Sequence, residues 1–391
     1  QRVQPAIIEV LGFLGANTAK AFHGSGFSVA ADGLFVTNYH VVAQKVQYPD
    51  KYRLAFRSPD GRTGKLNVLA VDIRRDLAIV RAVAHSPKPL RISDELPAKG
   101  ERAYAVGYPL SVGLTITEGV SNGRVKDTFG PRMHYSGAIN LGMSGGPTLN
   151  SEGAVIGVNV SSYMFGQLLS FIVPAHHART LRAKALQSGD SITPKSLQKE
   201  VIEQMQAHSK QLLKVLAGPL PTQVLSGYRL PAKLAPFFDC AASGDLSPDE
   251  PVQYTRVACS ASSGLYLQDG LSSGNIDYVH TVLTTNKLGA WRFAYKLSSL
   301  TNASGAYGQR KFVGPFACYD KTVALTGFDA DIVICTRSYR NFEGLYDFTV
   351  RVSSLNGEHH GFASHLDLYG MSFYAGANLV ERYIGAMEWD G

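Results

Sequence analysis

A serine, a histidine and an aspartate stand in this chain where together they can perform nucleophilic acyl transfer. Ser144 lies in Leu141-Gly142-Met143-Ser144-Gly145-Gly146-Pro147. Glycine reaches backbone angles closed to other residues, so such a turn can present the hydroxyl beside the N–H groups of Gly142 and Ser144. One turn then supplies both a nucleophile and an oxyanion hole. A hydroxyl attacks only when a base takes its proton, and that base needs a third group to orient it. His40, in Thr37-Asn38-Tyr39-His40-Val41-Val42, follows an apolar run. Asp76, in Arg74-Arg75-Asp76-Leu77-Ala78-Ile79-Val80, opens another. The spacings are 36 and 68 residues, and His–Asp–Ser is one of three chain orders in which this constellation occurs. Each residue alone also has an ordinary reading, as a surface histidine, a strand-end carboxylate or a Gly/Ser loop.

The elements that must position these residues read as short β-rich runs broken by Gly and Pro from residue 1 to about 175. Several islands strengthen the pattern. They are Gly24-Ser25-Gly26-Phe27-Ser28-Val29, Val106-Gly107-Tyr108-Pro109 with Thr117-Glu118-Gly119-Val120-Ser121, Gly153-Ala154-Val155-Ile156-Gly157-Val158-Asn159, and Phe171-Ile172-Val173-Pro174. In this order they resemble the trypsin-like serine peptidases, in their bacterial HtrA-like (DegP-like) branch. The resemblance covers roughly residues 5–180 and implies a mainly β fold, a trypsin-like double six-stranded β-barrel.

The resemblance also implies roles. Ser144 would attack, His40 would carry the proton, Asp76 would hold the imidazole, and Gly142 and Ser144 would form the oxyanion hole. Asn159, Val160, Ser161 and Ser162 would form the strand that receives the substrate backbone. Ala138, six residues before Ser144, matches the base of the primary pocket. It cannot pair with Lys or Arg, so a small or medium apolar side chain is expected before the cleaved bond. Met143 replaces an asparagine common in the branch and is expected to narrow or reshape the leaving-group side.

Composition narrows the rest. The 391 residues suit two domains, with 45% hydrophobic and 18% charged residues, a globular balance leaning toward a secreted protein. No apolar run reaches the roughly 18–20 residues that cross a bilayer. Gln1-Arg2-Val3-Gln4-Pro5 does not read as a signal peptide. The net charge of +7 is uneven: residues 1–190 hold 21 Lys and Arg against 13 Asp and Glu, and the remainder is near neutral. The positive residues are scattered without interleaved aromatics, so no nucleic-acid partner is expected. Polypeptide substrates are expected, no cofactor is, and oligomerisation stays open.

Cys240, Cys259, Cys318 and Cys335 all lie in the second half. Four cysteines allow three pairings. Cys240–Cys259 and Cys318–Cys335 each close a short loop within a hairpin and are favoured, with buried free thiols as the alternative. Disulfides would place the chain in an oxidising compartment, periplasmic or secreted in a bacterium. The expected domains are a peptidase over 1–186, a helical linker over 187–220 and a β-rich domain over 221–391. The linker helix starts at Thr193-Pro194, a cap followed by a first-turn proline, and stops at Gly218-Pro219.

Strands are expected at 254–258, 276–284, 291–297, 324–328, 332–337, 346–353 and 361–374, with a helix at 379–387. Together they suggest an antiparallel sandwich or barrel. No PDZ-like segment is recognisable there. His359, His365 and Asp367 could share one strand face, but solvent-facing polar residues are the preferred reading and no metal site is assigned. Asn302-Ala303-Ser304 fits a glycosylation sequon. Two readings compete with an active peptidase: a protease-like binding or chaperone protein with a latent triad, and a ligand-binding β-domain with a subordinate peptidase.

Overall fold

The computed structural model describes residues 3–110, 112–162, 169–301, 310–355 and 357–390, so the Asn302-Ala303-Ser304 sequon lies outside the described residues. The chain forms two compact units. The first comprises the chain up to Lys126, Gly130–Gln204 and the short stretch Tyr266–Asp269; the second comprises Asp127–Phe129, Met205–Leu265 and everything from Gly270.

In the first unit, β1 (Ile7–Leu14), β2 (Lys20–Ala30), β3 (Leu34–Thr37), β4 (Tyr52–Arg57), β5 (Thr63–Asp72) and β6 (Leu77–Ala82) close into a barrel of order β1-β2-β3-β6-β5-β4. Helix α1 (Tyr39–Gln47) leaves β3 after one residue. A second closed barrel follows, from β7 (Arg102–Gly107), β8 (Thr115–Arg124), β9 (Met133–Tyr135), β10 (Pro147–Leu149), β11 (Val155–Ser162) and β12 (Ser170–Pro174), in the order β10-β11-β12-β9-β8-β7. Both barrels are antiparallel, as the resemblance implied.

Strand β6 reads Leu-Ala-Ile-Val without alternation because both of its faces are covered, a pattern that period-two reasoning reads as a fully buried strand. Helix α2 (His176–Ser188) packs on the barrels through Ala178, Leu181 and Ala185, spaced three and four apart on one face. These residues join one apolar cluster with Leu34, Leu69, Leu77 and Ile79. Burying Leu181 alone contributes roughly 2 kcal/mol. Helix α3 (Pro194–Val215) starts as its sequence predicts: the Ser196 N–H donates to Thr193 Oγ1 at 3.1 Å, and the Thr193 N–H donates back to Ser196 Oγ at 3.0 Å. That is a reciprocal cap with serine in the place of the usual Glu or Gln.

The second unit adds strands β13 (Thr222–Leu225), β14 (Tyr228–Pro231), β15 (Phe238–Asp245), β16 (Gln253–Ala261), β18 (Leu271–Ser273), β19 (Ile276–Thr284), β20 (Ala317–Leu325), β21 (Phe328–Ser338), β22 (Leu345–Ser354), β23 (His360–Ser372) and β24 (Glu388–Trp389), with helices α4 (Ala290–Thr301) and α5 (Phe373–Gly385), while β17 (Leu265–Gln268) falls mostly in the Tyr266–Asp269 stretch of the first unit. Seven strands form one open antiparallel sheet, ordered β15-β16-β19-β23-β22-β21-β20. Among the described residues no barrel closes here; a small three-stranded sheet, β13-β14-β24, joins α5 in one apolar cluster with the large sheet, and α4 packs with residues of the opposite face. On β23, Phe362, Leu366 and Leu368 share an apolar cluster with Leu379, Val380 and Tyr383 of α5. Ala363, one residue out of phase, packs with Phe293 and Leu297 of α4. Successive side chains point to opposite faces, so each helix covers its own face.

Residues 291–297, expected as a strand, are the middle of α4. Phe293 and Leu297 repeat at four residues and are buried, while Trp291 and Tyr295 on the opposite side are exposed; aromatic content masked a helical period. The expected strand 324–328 is instead a hairpin tip: Leu325 pairs directly with Phe328, and Gly327 sits at φ +85°. The strand expected to reach residue 374 stops at Ser372, where α5 begins, so the terminal helix starts earlier than 379. Both favoured disulfides are present, Cys240–Cys259 and Cys318–Cys335, each joining directly opposed residues of paired strands. They staple each edge strand of the large sheet to its neighbour. With sequence separations of 19 and 17 residues, chain-entropy arguments give each about 3 kcal/mol.

Candidate active site

Strand pairing explains why His40 and Asp76 meet. Thr37, the last residue of β3, pairs with Ala78 near the start of β6. The residues just after β3 and just before β6 are therefore neighbours. Asp76 occupies that corner at φ +55°, a left-handed conformation that costs an L-residue energy. The Asn38 side-chain amide holds it there, donating to the Asp76 carbonyl at 2.7 Å.

Both carboxylate oxygens of Asp76 are engaged by His40. Oδ1 accepts the His40 backbone N–H at 2.8 Å, and Oδ2 pairs with Nδ1 at 2.6 Å. His40 is the second residue of α1, so this carboxylate also sits at the positive end of the helix. Donation from Nδ1–H leaves Nε2 as the proton acceptor. Burial pulls the imidazole pKa down, but the charge and hydrogen bond of Asp76, with a further contribution from Asp269, more than offset it. The net pKa lies above the ordinary 6.5.

The serine turn is tied from both barrels. Ser25 is buried in β2; its N–H donates to the Ser144 carbonyl at 2.8 Å and its hydroxyl to the Gly142 carbonyl at 2.7 Å. The same hydroxyl accepts the Tyr108 N–H at 2.9 Å. Gly145 stands at φ +84°, where a Cβ would come within 2.3 Å of the Ser25 carbonyl oxygen, so only glycine fits. The Leu141 carbonyl accepts the Leu110 N–H at 3.0 Å. A trans peptide is planar, so the Gly142 N–H points the opposite way from that carbonyl. Among the described residues neither the Gly142 N–H nor the Ser144 N–H has a carbonyl partner. Two backbone donors are thus left at the turn, as an oxyanion hole requires. Ser144 Oγ donates to the Val160 carbonyl at 2.8 Å, and among the described residues no hydrogen bond joins it to His40 Nε2.

Other expected site residues divide sharply. Met143 is buried in the second barrel with Ala105, Tyr135, Ile156 and Ile172, so it does not line the leaving-group side as expected. Asn159 is also buried, and its side chain is a clamp rather than a substrate contact. Its amide donates to the carbonyls of Val106 at 3.0 Å and Met143 at 3.2 Å, and its Oδ1 accepts from Thr148 at 2.6 Å. Val160 falls at a bulge: Asn159 pairs with Ile172 and Ser161 with Phe171, which leaves Val160 without a cross-strand partner and its carbonyl available to Ser144. Ser161 and Ser162 continue the strand by backbone pairing with Phe171 and Ser170. Ala138 is exposed, with its carbonyl taken by Thr117 Oγ1 at 2.8 Å.

Sequence reasoning gave no role to Ser25, Asn38 or Thr37, whose hydroxyl donates to the Ser25 carbonyl at 2.8 Å. The available signal was a run of polar residues at strand positions that must be buried. Asp367 accepts from Arg351 and Thr349, and among the described residues no group of three or more His, Cys, Asp or Glu is placed to hold a metal.

The sequence profile of the trypsin-like peptidase domain matches residues 24–158, a stretch that contains His40, Asp76 and Ser144. That stretch is similar to trypsin-like peptidase domains, and the chain is similar over its first half to HtrA-type serine proteases. The chain is 37% identical to serine protease HTRA2, mitochondrial, of Bos taurus over 196 residues, 46% of this chain and 40% of that protein. It is 31% identical to serine protease HTRA1 of Xenopus laevis over 201 residues, 47% of this chain and 42% of that protein. A serine endoprotease structure from Yersinia pestis aligns with 48% of this chain and 65% of that one, at 25% identity and a TM-score of 0.42. The chain thus spans less than half the length of the two curated relatives.

The peptidase domain should depend on Asn159 for more than strand register. Asn159→Ala removes the acceptor of the Thr148 hydroxyl, the amide bond to the Val106 carbonyl and one of two donors to the Met143 carbonyl, and should cost about 2–3 kcal/mol, read as a lowered urea midpoint. An unchanged midpoint would show that the clamp is dispensable.

Proposed function

We propose that this chain is a serine endopeptidase that hydrolyses extended or unfolded polypeptides through His40, Asp76 and Ser144. The observation that carries the reading is the two-point hold of Asp76 on His40, beside a glycine-bounded serine turn with two N–H groups to spare. Ser144 Oγ attacks the peptide carbonyl while Nε2 of His40 takes its proton. Asp76 stabilises the imidazolium that forms, and the Gly142 and Ser144 amides receive the oxyanion. His40 then protonates the leaving amine, and water repeats the sequence on the acyl-enzyme.

A substrate strand laid along residues 160–162 competes for the Val160 carbonyl that now accepts the Ser144 hydroxyl. Losing that acceptor releases the hydroxyl to His40, which couples substrate pairing to activation of the nucleophile. The same hydrogen bond favours a second reading, a latent triad in a protein that binds polypeptides without cleaving them. Two disulfides support folding in an oxidising compartment. The proposed division is a peptidase over 1–186, a helical linker over 187–220 and a β-rich domain beyond.

Ser144→Ala should abolish both casein turnover and labelling by a fluorophosphonate; a wild-type chain that resists labelling would favour the latent reading. Among peptides in a library, those with Ala, Val or Leu before the cut should be preferred over those with Lys or Arg, since Ala138 offers no charge. A basic preference would contradict this. Because the base works only when neutral and its pKa is raised, kcat/KM should fall as pH drops through a midpoint above 6.5. A profile flat from about pH 5 to 8 would refute His40 as the base.

A further inference from the structure

The compact peptidase unit includes four residues from far along the chain, Tyr266–Asp269. They form the end of β17 and the start of the turn toward β18. Two contacts bind this segment to the start of α1, one at Tyr39 and one at His40. The hydroxyl of Tyr39, which is fully buried, donates to the Leu267 carbonyl at 2.9 Å and accepts from Gln47 Nε2 at 3.1 Å. Tyr39 directly precedes His40 in α1, so the turn that presents the histidine also holds the segment's backbone. The Tyr266 ring meets the His40 imidazole edge-on, with centroids 5.9 Å apart at 74°. The Tyr266 hydroxyl donates to Asp269 Oδ1 at 2.5 Å, which ties that exposed carboxylate to the side chain in contact with His40.

We propose that Tyr266 and Asp269 are positioning residues for His40, lent to the catalytic centre by the second half of the chain. The proposal rests on the peptidase reading and deepens it. Asp76 uses both oxygens on His40 and fixes one edge of the imidazole. Tyr266 limits the tilt of the ring that remains, as an edge-to-face aromatic contact does. Asp269 adds a second negative charge, and a charge near an imidazole favours the protonated form. That charge sets the pH at which the base becomes competent, while the Tyr266 ring contact sets the aim of the neutral imidazole. Among the described residues the ionisable groups acting on His40 are Asp76, Tyr266 and Asp269, and Asp269 acts on the imidazole in the same direction as Asp76.

The test uses the full chain with two readouts: NMR titration of the His40 ring, and the rate at which a fluorophosphonate labels Ser144 from pH 5 to 9. Asp269→Asn removes a charge that raises the His40 pKa, so both midpoints should move to lower pH while the plateau rate changes less than about threefold. Tyr266→Phe keeps the ring but unties Asp269, and should shift the midpoints the same way with the plateau retained. Tyr266→Ala frees the ring and should lower the plateau roughly tenfold. Labelled wild type with superimposable titrations and rates in all three variants would overturn the role of the segment alone. A wild type that is never labelled would overturn the peptidase reading and this role with it.

Discussion

The carboxylate of Asp76 is the constraint on which the site depends. One oxygen takes a backbone N–H at the start of α1, and the other takes the side chain of the same residue, so the imidazole has little freedom to swing or to change tautomer. The cost is a non-glycine residue in a left-handed conformation, held by Asn38 from the other side of the corner. Because the corner is made by the pairing of β3 with β6, a slip of register in the first barrel would separate His40 from Asp76 as it disturbed the core.

The nucleophile turn obeys a second constraint of the same kind. It hangs between the barrels, with Ser25 of β2 holding it on one side and Asn159 of β11 on the other. Each clamp is buried and each uses nearly all of its hydrogen-bonding capacity, which makes the turn a single geometry instead of a mobile loop. The Gly142 amide owes its direction to the opposite face of the same peptide, where Leu110 holds the Leu141 carbonyl. The feature not set for attack is the serine hydroxyl, which rests on the bulged Val160.

In the second unit, the large sheet leaves two edges, and each edge strand is tied to its neighbour by a disulfide between opposed residues. Edge strands are otherwise the easiest part of a sheet to peel or to mispair. The aromatic-rich segment at 290–301 illustrates how composition misleads: its buried residues repeat at four, and the exposed Trp291 and Tyr295 occupy the side that no core requires.

From the sequence alone came the three candidate residues of the proposed triad, the glycine turn, the two-barrel expectation, the cysteine pairing and the capped start of α3. All of these rest on local chemistry or on motif order: a glycine forced by backbone angle, a Thr-Pro helix start, a cysteine pair closing a short hairpin loop. Tertiary structure alone decided what depends on which distant groups become neighbours. It placed Met143 in the core and turned Asn159 from a substrate contact into a clamp. It made Ser25 a tether and brought Tyr266 against His40 across more than two hundred residues of chain. No periodicity encodes such meetings, since each is fixed by barrel register and by burial, which the order of residues specifies only through the completed fold.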